Sequence, residues 1–252
     1  MAAIRAGDYA GAYEALQYTS KGATPTGASI GAFLLALLER FDEAEQLAQR
    51  ASVDGIERIV RGERQRARRF RDPAATGELR VALQTPITGL YAAMGVAFAR
   101  RDEALAERTK AQLATEARPV AGALTFVGGQ VKMFQDIADA DDAIGRMLEA
   151  YVDDGLVYFP FEGLRRIAFL PRQNFMDHLM PQVEVRNERG SMRAHVPLLY
   201  AGSATAPDDS VRNGRMTMFE YLGTATRGRG QRDFRVDGAL VGLQNIAAID
   251  FA

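Results

Sequence analysis

The chain has 252 residues, 47% hydrophobic and 25% charged, with a formal net charge of −1. That length allows one large core or two small ones, the composition is that of a soluble globular protein, and the near-zero charge builds in no long-range steering toward nucleic acid or membrane. Without cysteine there are no disulfides, thiolate ligands or thiol nucleophiles, and nothing points to an oxidising compartment.

At the N-terminus, "MAAIRAGDYAG" has no long apolar stretch and no small-residue cleavage site, so no secretory signal is expected and the chain reads as cytoplasmic. Asp8 is placed to cap a helix over "YAGAYEALQ", which aligns Tyr9, Tyr13 and Leu16. The next stretch, "TGASIGAFLLALLERF", spaces Ile30, Phe33, Leu34, Leu37, Leu38 and Phe41 along a broad helical face. Its apolar run "AFLLALL" is far shorter than the roughly 20 residues that span a bilayer. Asp42 then reads as the cap of "EAEQLAQRAS", and Asp102 opens "EALAERTKAQLATEAR". Asp8 and Asp42 lie 34 residues apart, the tetratricopeptide period, although the third junction breaks it. Short turns between amphipathic helices favour a small stack of tetratricopeptide-like hairpins over residues 1–118, a form that grips a helix or an extended segment.

Beyond "RPVAGA" the helical spacing gives way to short β-type runs divided by turn residues. "ALTFV" meets Gly128-Gly129 and then "QVKMF"; "MLEAYV" meets Asp153-Asp154-Gly155 and then "LVYF". "VEVR" meets "NERG" and then "MRAHVPLLY"; "FRV" meets Asp237-Gly238 and then "ALVGL". Repeated hairpins predict a small antiparallel β domain, barrel-like, over residues 119–252, and an α+β protein as a whole. No phosphate-cradling loop or nucleotide fingerprint lies between them.

"DIADADD" gathers Asp136, Asp139, Asp141 and Asp142. Carboxylates two residues apart suit a hard divalent cation, so a metal-dependent enzyme using Asp139 and Asp141 is the alternative reading. The stretch lacks the glycine and terminal glutamate of an EF-hand loop, and a turn followed by a helix start capped by Asp141 or Asp142 ahead of "AIGRMLEAY" explains it without a metal. The two histidines, His178 and His195, have no ligand neighbours at zinc-site spacing. His195 falls on an expected strand as a structural residue, and Ser203 in "AGSATA" lacks a nucleophile elbow. "RGERQRARRFR" carries six arginines and raises a second alternative, a nucleic-acid binder using Arg64, Arg66, Arg68 and Arg69. Ile56, Ile59, Val60, Ala67 and Phe70 share the opposite helical face, which makes the arginines a solvated face instead. "RGRGQR", residues 227 to 232, reads as a hairpin loop.

In ordered succession, "IADADDAIGRMLEA", "YFPFEGLRRIAF", "VPLLYAGS" and "GRGQR" resemble the ImpE family, also called TagJ or SciE, an accessory component of bacterial type VI secretion. "RAGDYAGAYEALQ" and "TPTGASIGAFLLALLERFDEAEQL" are similar to its helical half, but such segments are shared by tetratricopeptide-like helices in general. The signature positions carried over are Asp139, Asp141, Gly145, Glu149, Pro160, Pro197, Tyr200, Gly202, Gly228, Gly230, Gln231 and Arg232, all expected to be structural. This chain departs from the family in having no tryptophan. Asp136, Tyr158 and Phe219 stand where the family commonly has one, and Ala201 stands where a proline is usual.

The resemblance implies a cytoplasmic, non-catalytic adaptor without cofactor or metal. Its implied partner is the N-terminal helix of the small sheath subunit, and through that subunit the ClpV ATPase that recycles sheath; no nucleic acid or membrane is involved. It does not say which residues contact the partner.

Overall fold

The computed structural model describes residues 2–153 and 155–252; Asp154 of the expected Asp153-Asp154-Gly155 turn, and Met1, lie outside the described residues. Helices occupy the first half: α1 (Ala2–Arg5), α2 (Tyr9–Gln17), α3 (Pro25–Leu37), α4 (Phe41–Ala48), α5 (Ile56–Arg71), α6 (Pro73–Thr76), α7 (Thr88–Arg100) and α8 (Glu103–Glu116). Two expected caps form, with Asp8 accepting from the Gly11 amide and Asp102 from the Leu105 amide. Asp42 is not a cap: α4 begins at Phe41, two residues earlier than expected, with Arg40 at the cap position. In the first turn of α4, Asp42 faces the positive end of the helix dipole and reaches Arg64 at 3.1 Å. The apolar run of α3 is buried over Ala32–Leu37, so its hydrophobicity serves a protein core.

The second half holds β1 (Gly122–Phe126), β2 (Val131–Phe134), β3 (Ile137–Asp139), β4 (Met147–Val152), β5 (Gly155–Pro160), β6 (Arg166–Phe169), β7 (Gln182–Asn187), β8 (Gly190–His195), the short helix α9 (Asp209–Arg212), β9 (Thr217–Leu222), β10 (Ala225–Gly230), β11 (Asp233–Val236), β12 (Ala239–Gly242) and β13 (Ile246–Phe251). All four expected hairpins are present: β1 with β2, β4 with β5, β7 with β8, and β11 with β12. The helix expected over "AIGRMLEAY" does not form; a turn leads into β4, whose core burial on nearly every residue favours a strand enclosed on both faces. "RGRGQR" is not a loop either, since its first four residues complete β10 and pair with β9.

Pairing runs β2-β1-β13-β6-β7-β8-β4-β5 in one eight-stranded sheet, beside a three-stranded sheet β12-β11-β3 and the ribbon β10-β9. Strands β2 and β5 end the large sheet without pairing to each other, so hydrogen bonding leaves it open where a barrel would close. The exposed edge of β5 is instead covered by the helical half: Tyr158 donates its amide to the Arg80 carbonyl, and Ala82 donates back to the Tyr158 carbonyl, both at 2.9 Å. Covering an edge in this way removes a template for aggregation.

One hydrophobic core lies within the β half around Phe134, Phe159, Phe161, Phe234 and Ile249. The other crosses the boundary, joining Phe33, Ile59, Tyr91 and Phe98 from helices to Tyr151, Tyr158 and Tyr200 from the β half. Helix α5 makes that junction by packing on β4 and β5. The chain is thus α+β, with its halves sharing a core.

Candidate functional site

Helix α5 places Ile59, Gly62, Glu63, Arg66, Arg69 and Phe70 on its buried side. Gly62 lies against the Tyr151 ring so closely that a Cβ would come within 2.3 Å of it. Arg66 is 1% exposed: its Nε donates to Glu149 at 2.8 Å, its Nη1 to Glu63 at 3.1 Å, and its Nη2 to the Leu199 carbonyl. Tyr151 donates to Glu63 at 2.5 Å, and Tyr158 donates to the other Glu149 oxygen at 2.6 Å. The Arg69 guanidinium lies over the Tyr158 ring, 4.4 Å from its centroid, a geometry that attracts a cation. The expectation of a solvated arginine face is therefore corrected for Arg66 and Arg69. Arg64 and Arg68 are the exposed ones, and they pair with Glu45 and Asp72. A phosphate backbone would find no stripe made of those four residues.

From the opposite side, Arg232 enters the same network fully buried. Its Nε meets Asp139 at 2.5 Å and its Nη1 lies 3.4 Å from Glu149. Tyr200 donates to the second Asp139 oxygen at 2.9 Å, and that oxygen also accepts from the Asp141 amide. Asp141 accepts from the amides of Ala143 at 2.9 Å and Gly228 at 3.2 Å. Burial, and then the adjacent Asp139 carboxylate, push the Asp141 pKa up to about 7. Burial also opposes ionisation of Glu149, but Arg66 and Arg232 overcome it and hold that carboxyl below its ordinary range.

The remaining aspartates of the acidic stretch point elsewhere. Asp136 pairs with Arg146 at 2.6 Å, while Asp142 takes Lys110 at 3.0 Å and the Thr226 amide at 2.8 Å. Arginine and tyrosine donors occupy the two Asp139 oxygens that a cation would need, and backbone amides occupy those of Asp141. Among the described residues, no three histidine, aspartate or glutamate side chains gather as metal ligands. His178 contacts Arg172, and His195 lies buried beneath Gly55 with its pKa depressed to about 4, by burial first and Arg58 second. Ser203 accepts from the Gly230 amide at 2.7 Å, and among the described residues neither histidine is hydrogen-bonded to it.

Most of the signature residues converge here. Gly228 passes so close to the Tyr200 ring that a Cβ would lie 2.3 Å from it. Gly145, at φ +56°, is pressed against Tyr91 and accepts from the Asp139 amide through its carbonyl. Gly230 accepts from the Tyr200 amide, Gln231 bridges to Leu199, and Gly202 leads into the turn that carries Ser203. Pro160 and Pro197 are buried. Sequence reasoning misses Glu63, Arg66, Arg69 and Tyr151 as members of this cluster. A signal for the α5 members exists in the helical spacing itself, since positions 59, 62, 63, 66, 69 and 70 form one stripe.

With the charged cluster closed, the accessible concavities include two unlike clefts. A cavity of about 440 Å³ at the start of α5 is bordered by Asp54, Glu57, Arg58, Arg61 and Asp153. Another, of about 560 Å³, lies in the β half among Phe169, Leu170, Pro171, Leu198, Leu243 and Ile246. The second is the more apolar of the two, although Arg172, Gln244 and Asn245 also border it and Leu198, Leu243 and Ile246 are themselves largely buried.

Residues 131–250 match the model of the ImpE family, described as ImpE protein, bearing out the resemblance carried by the blocks of the β half. The match supports an accessory role in type VI secretion. The whole chain is also similar to the crystal structure of protein VPA1032 from Vibrio parahaemolyticus, with a TM-score of 0.79 and 16% identity over 99% of this chain and 96% of that one. At that identity the likeness shows a shared fold. None of the curated proteins compared matches the chain.

Proposed function

We propose that the protein is a non-catalytic, cytoplasmic adaptor of type VI secretion that holds the N-terminal helix of the small sheath subunit and is coupled through it to ClpV-dependent recycling. The observation that carries this reading is the position of the ImpE match: it spans nearly all of the apolar cleft around Phe169, Leu170, Leu198, Leu243 and Ile246. An amphipathic helix recognises such a cleft by burying a few Leu- or Ile-sized anchors. At roughly 25 cal/mol per Å², these anchors give reversible affinity after the costs of ordering. A tetratricopeptide-like reading of the helical half puts the groove there, but the cleft that half offers is rimmed by charge, and the β half is the better candidate. The buried carboxylates then act as scaffold, since each is already ion-paired or hydrogen-bonded within the protein.

Titration of a fluorescently labelled sheath-subunit N-terminal helix tests the reading, with an expected Kd of about 1 μM or tighter. Ala247→Arg, which projects bulk and charge at the rim of the cleft, should weaken binding at least tenfold. No binding to well-folded wild-type protein at high peptide concentration contradicts the adaptor assignment. Binding that ignores the Ala247 substitution contradicts the cleft.

A further inference from the structure

The ribbon β9–β10 has one covered side and one open side. On the β10 side, the Gly228 amide donates to Asp141, the Thr226 carbonyl accepts from the Asp142 amide, and the Gly230 carbonyl accepts from the Tyr200 amide. The backbone groups of residues 226, 228 and 230 therefore point away from β9. Their register partners, Tyr221, Phe219 and Thr217, must then direct their own amides and carbonyls outward from the ribbon, because antiparallel pairs alternate. Among the described residues, no other strand pairs with β9 and no loop backbone bonds Phe219 or Tyr221. Along this edge Met218 is 49% and Tyr221 68% exposed. The strand carries neither lysine nor proline, and Glu220 is its single charged residue.

We infer that β9 is a homodimer edge: two copies of this chain join through antiparallel β9–β9 pairing about a two-fold axis at Phe219. That axis pairs Phe219 with Phe219 and Thr217 with Tyr221, so every outward backbone position gains a hydrogen-bonded partner. The charges fit as well. Each row across the four-stranded sheet reads Arg227, Glu220, Met218 of the second copy, then Arg229 of the second copy, with no like charges directly opposite. The open edge of β2 lacks that property. Its outward positions, assigned from the Ala252 amide bonding to Ala121, are Val131 and Met133, and self-pairing there sets Lys132 against Lys132. It is also four residues long, against six for β9.

Sedimentation of the full chain from about 1 to about 500 μM should show the mass rising from one chain to two, in the range of modest interfaces. Tyr221→Pro removes an outward amide without touching the bonds to β10, so it should remain folded by circular dichroism and stay monomeric. Because the chain has no cysteine, single-cysteine variants give a second test. Phe219→Cys brings two thiols together at a Cα separation of about 5.5 Å, within disulfide reach. It should cross-link under mild oxidation, whereas Met218→Cys, exposed but displaced from the axis, should cross-link several-fold less. A wild type that stays monomeric throughout, a folded Tyr221→Pro that associates like wild type, or cross-linking as efficient at 218 as at 219 overturns the inference. An edge used only by a different protein gives the first of these results.

Discussion

The seam beneath α5 and the outer edge of β9 handle polar groups in opposite ways. In the seam, Glu63, Arg66, Asp139, Asp141, Glu149 and Arg232 are conspicuous as residue types yet committed to one another or to the backbone. On β9, ordinary residues leave backbone donors and acceptors unpaired. Eye-catching chemistry thus marks the scaffold here, where even the unpartnered Arg232 Nη2 and Arg69 Nε and Nη1 are buried, whereas the free edge of β9 lies open to the dimer pairing proposed above. A buried ion network of this kind costs desolvation that its pairing has to offset; its clearest consequence is that α5, β3 and β4 are tied together through Arg66 and Arg232.

The largest expected effect breaks the seam. Arg232→Met leaves Asp139 and Glu149 without a shared cation and should lower unfolding free energy by about 3–5 kcal/mol, measured by urea denaturation. A loss near zero would mean that solvent screens these charges. Next is a pH effect. Asp141 has its folded pKa raised from 3.8 to about 7, so its contribution to stability is present below about pH 4 and lost as pH rises through 7. Asp141→Asn should flatten that part of the curve by a few kcal/mol, because each pH unit between the unfolded and folded pKa values is worth about 1.4 kcal/mol. His195 acts with the opposite sign, losing stability as pH falls from 6.5 to 4. The variant therefore has to be compared with wild type at each pH. An unchanged slope would show that Asp141 is hydrated.

A smaller loss is expected at Gly228→Ala, where the new Cβ would collide with Tyr200: about 1–3 kcal/mol as the ring is displaced, read from the denaturation midpoint. The smallest effect belongs to Arg40→Ala. It breaks the exposed pair with Glu43 and should leave Tm unchanged within error, which sets the baseline against which seam variants are judged.

Much of this architecture was legible from local chemistry. Gly128-Gly129 and Asp237-Gly238 announce their hairpins, and Asp8 and Asp102 announce helix starts. "RGRGQR" misleads because two glycines and three arginines resemble a loop. Those glycines are needed where the strand crosses Tyr200 and turns at Gly230, whose φ is +91°, and Arg232 is buried because carboxylates from distant segments wait for it. Such long-range compensation has no local signature. The same reason hides the fate of Asp139 and Asp141: proximity in sequence suggests a shared cation, whereas their partners come from residues 143, 200, 228 and 232. The apolar cleft is equally invisible, being assembled from β6, the segment that follows it, and the chain around β13.

The most direct test of the division between the buried scaffold and the proposed partner-binding cleft is to titrate the sheath-subunit helix into Asp141→Asn and Ala247→Arg proteins side by side at pH 7. The account predicts wild-type affinity for the first and at least a tenfold loss for the second. Loss of binding in Asp141→Asn with full binding in Ala247→Arg, both proteins folded, would contradict it.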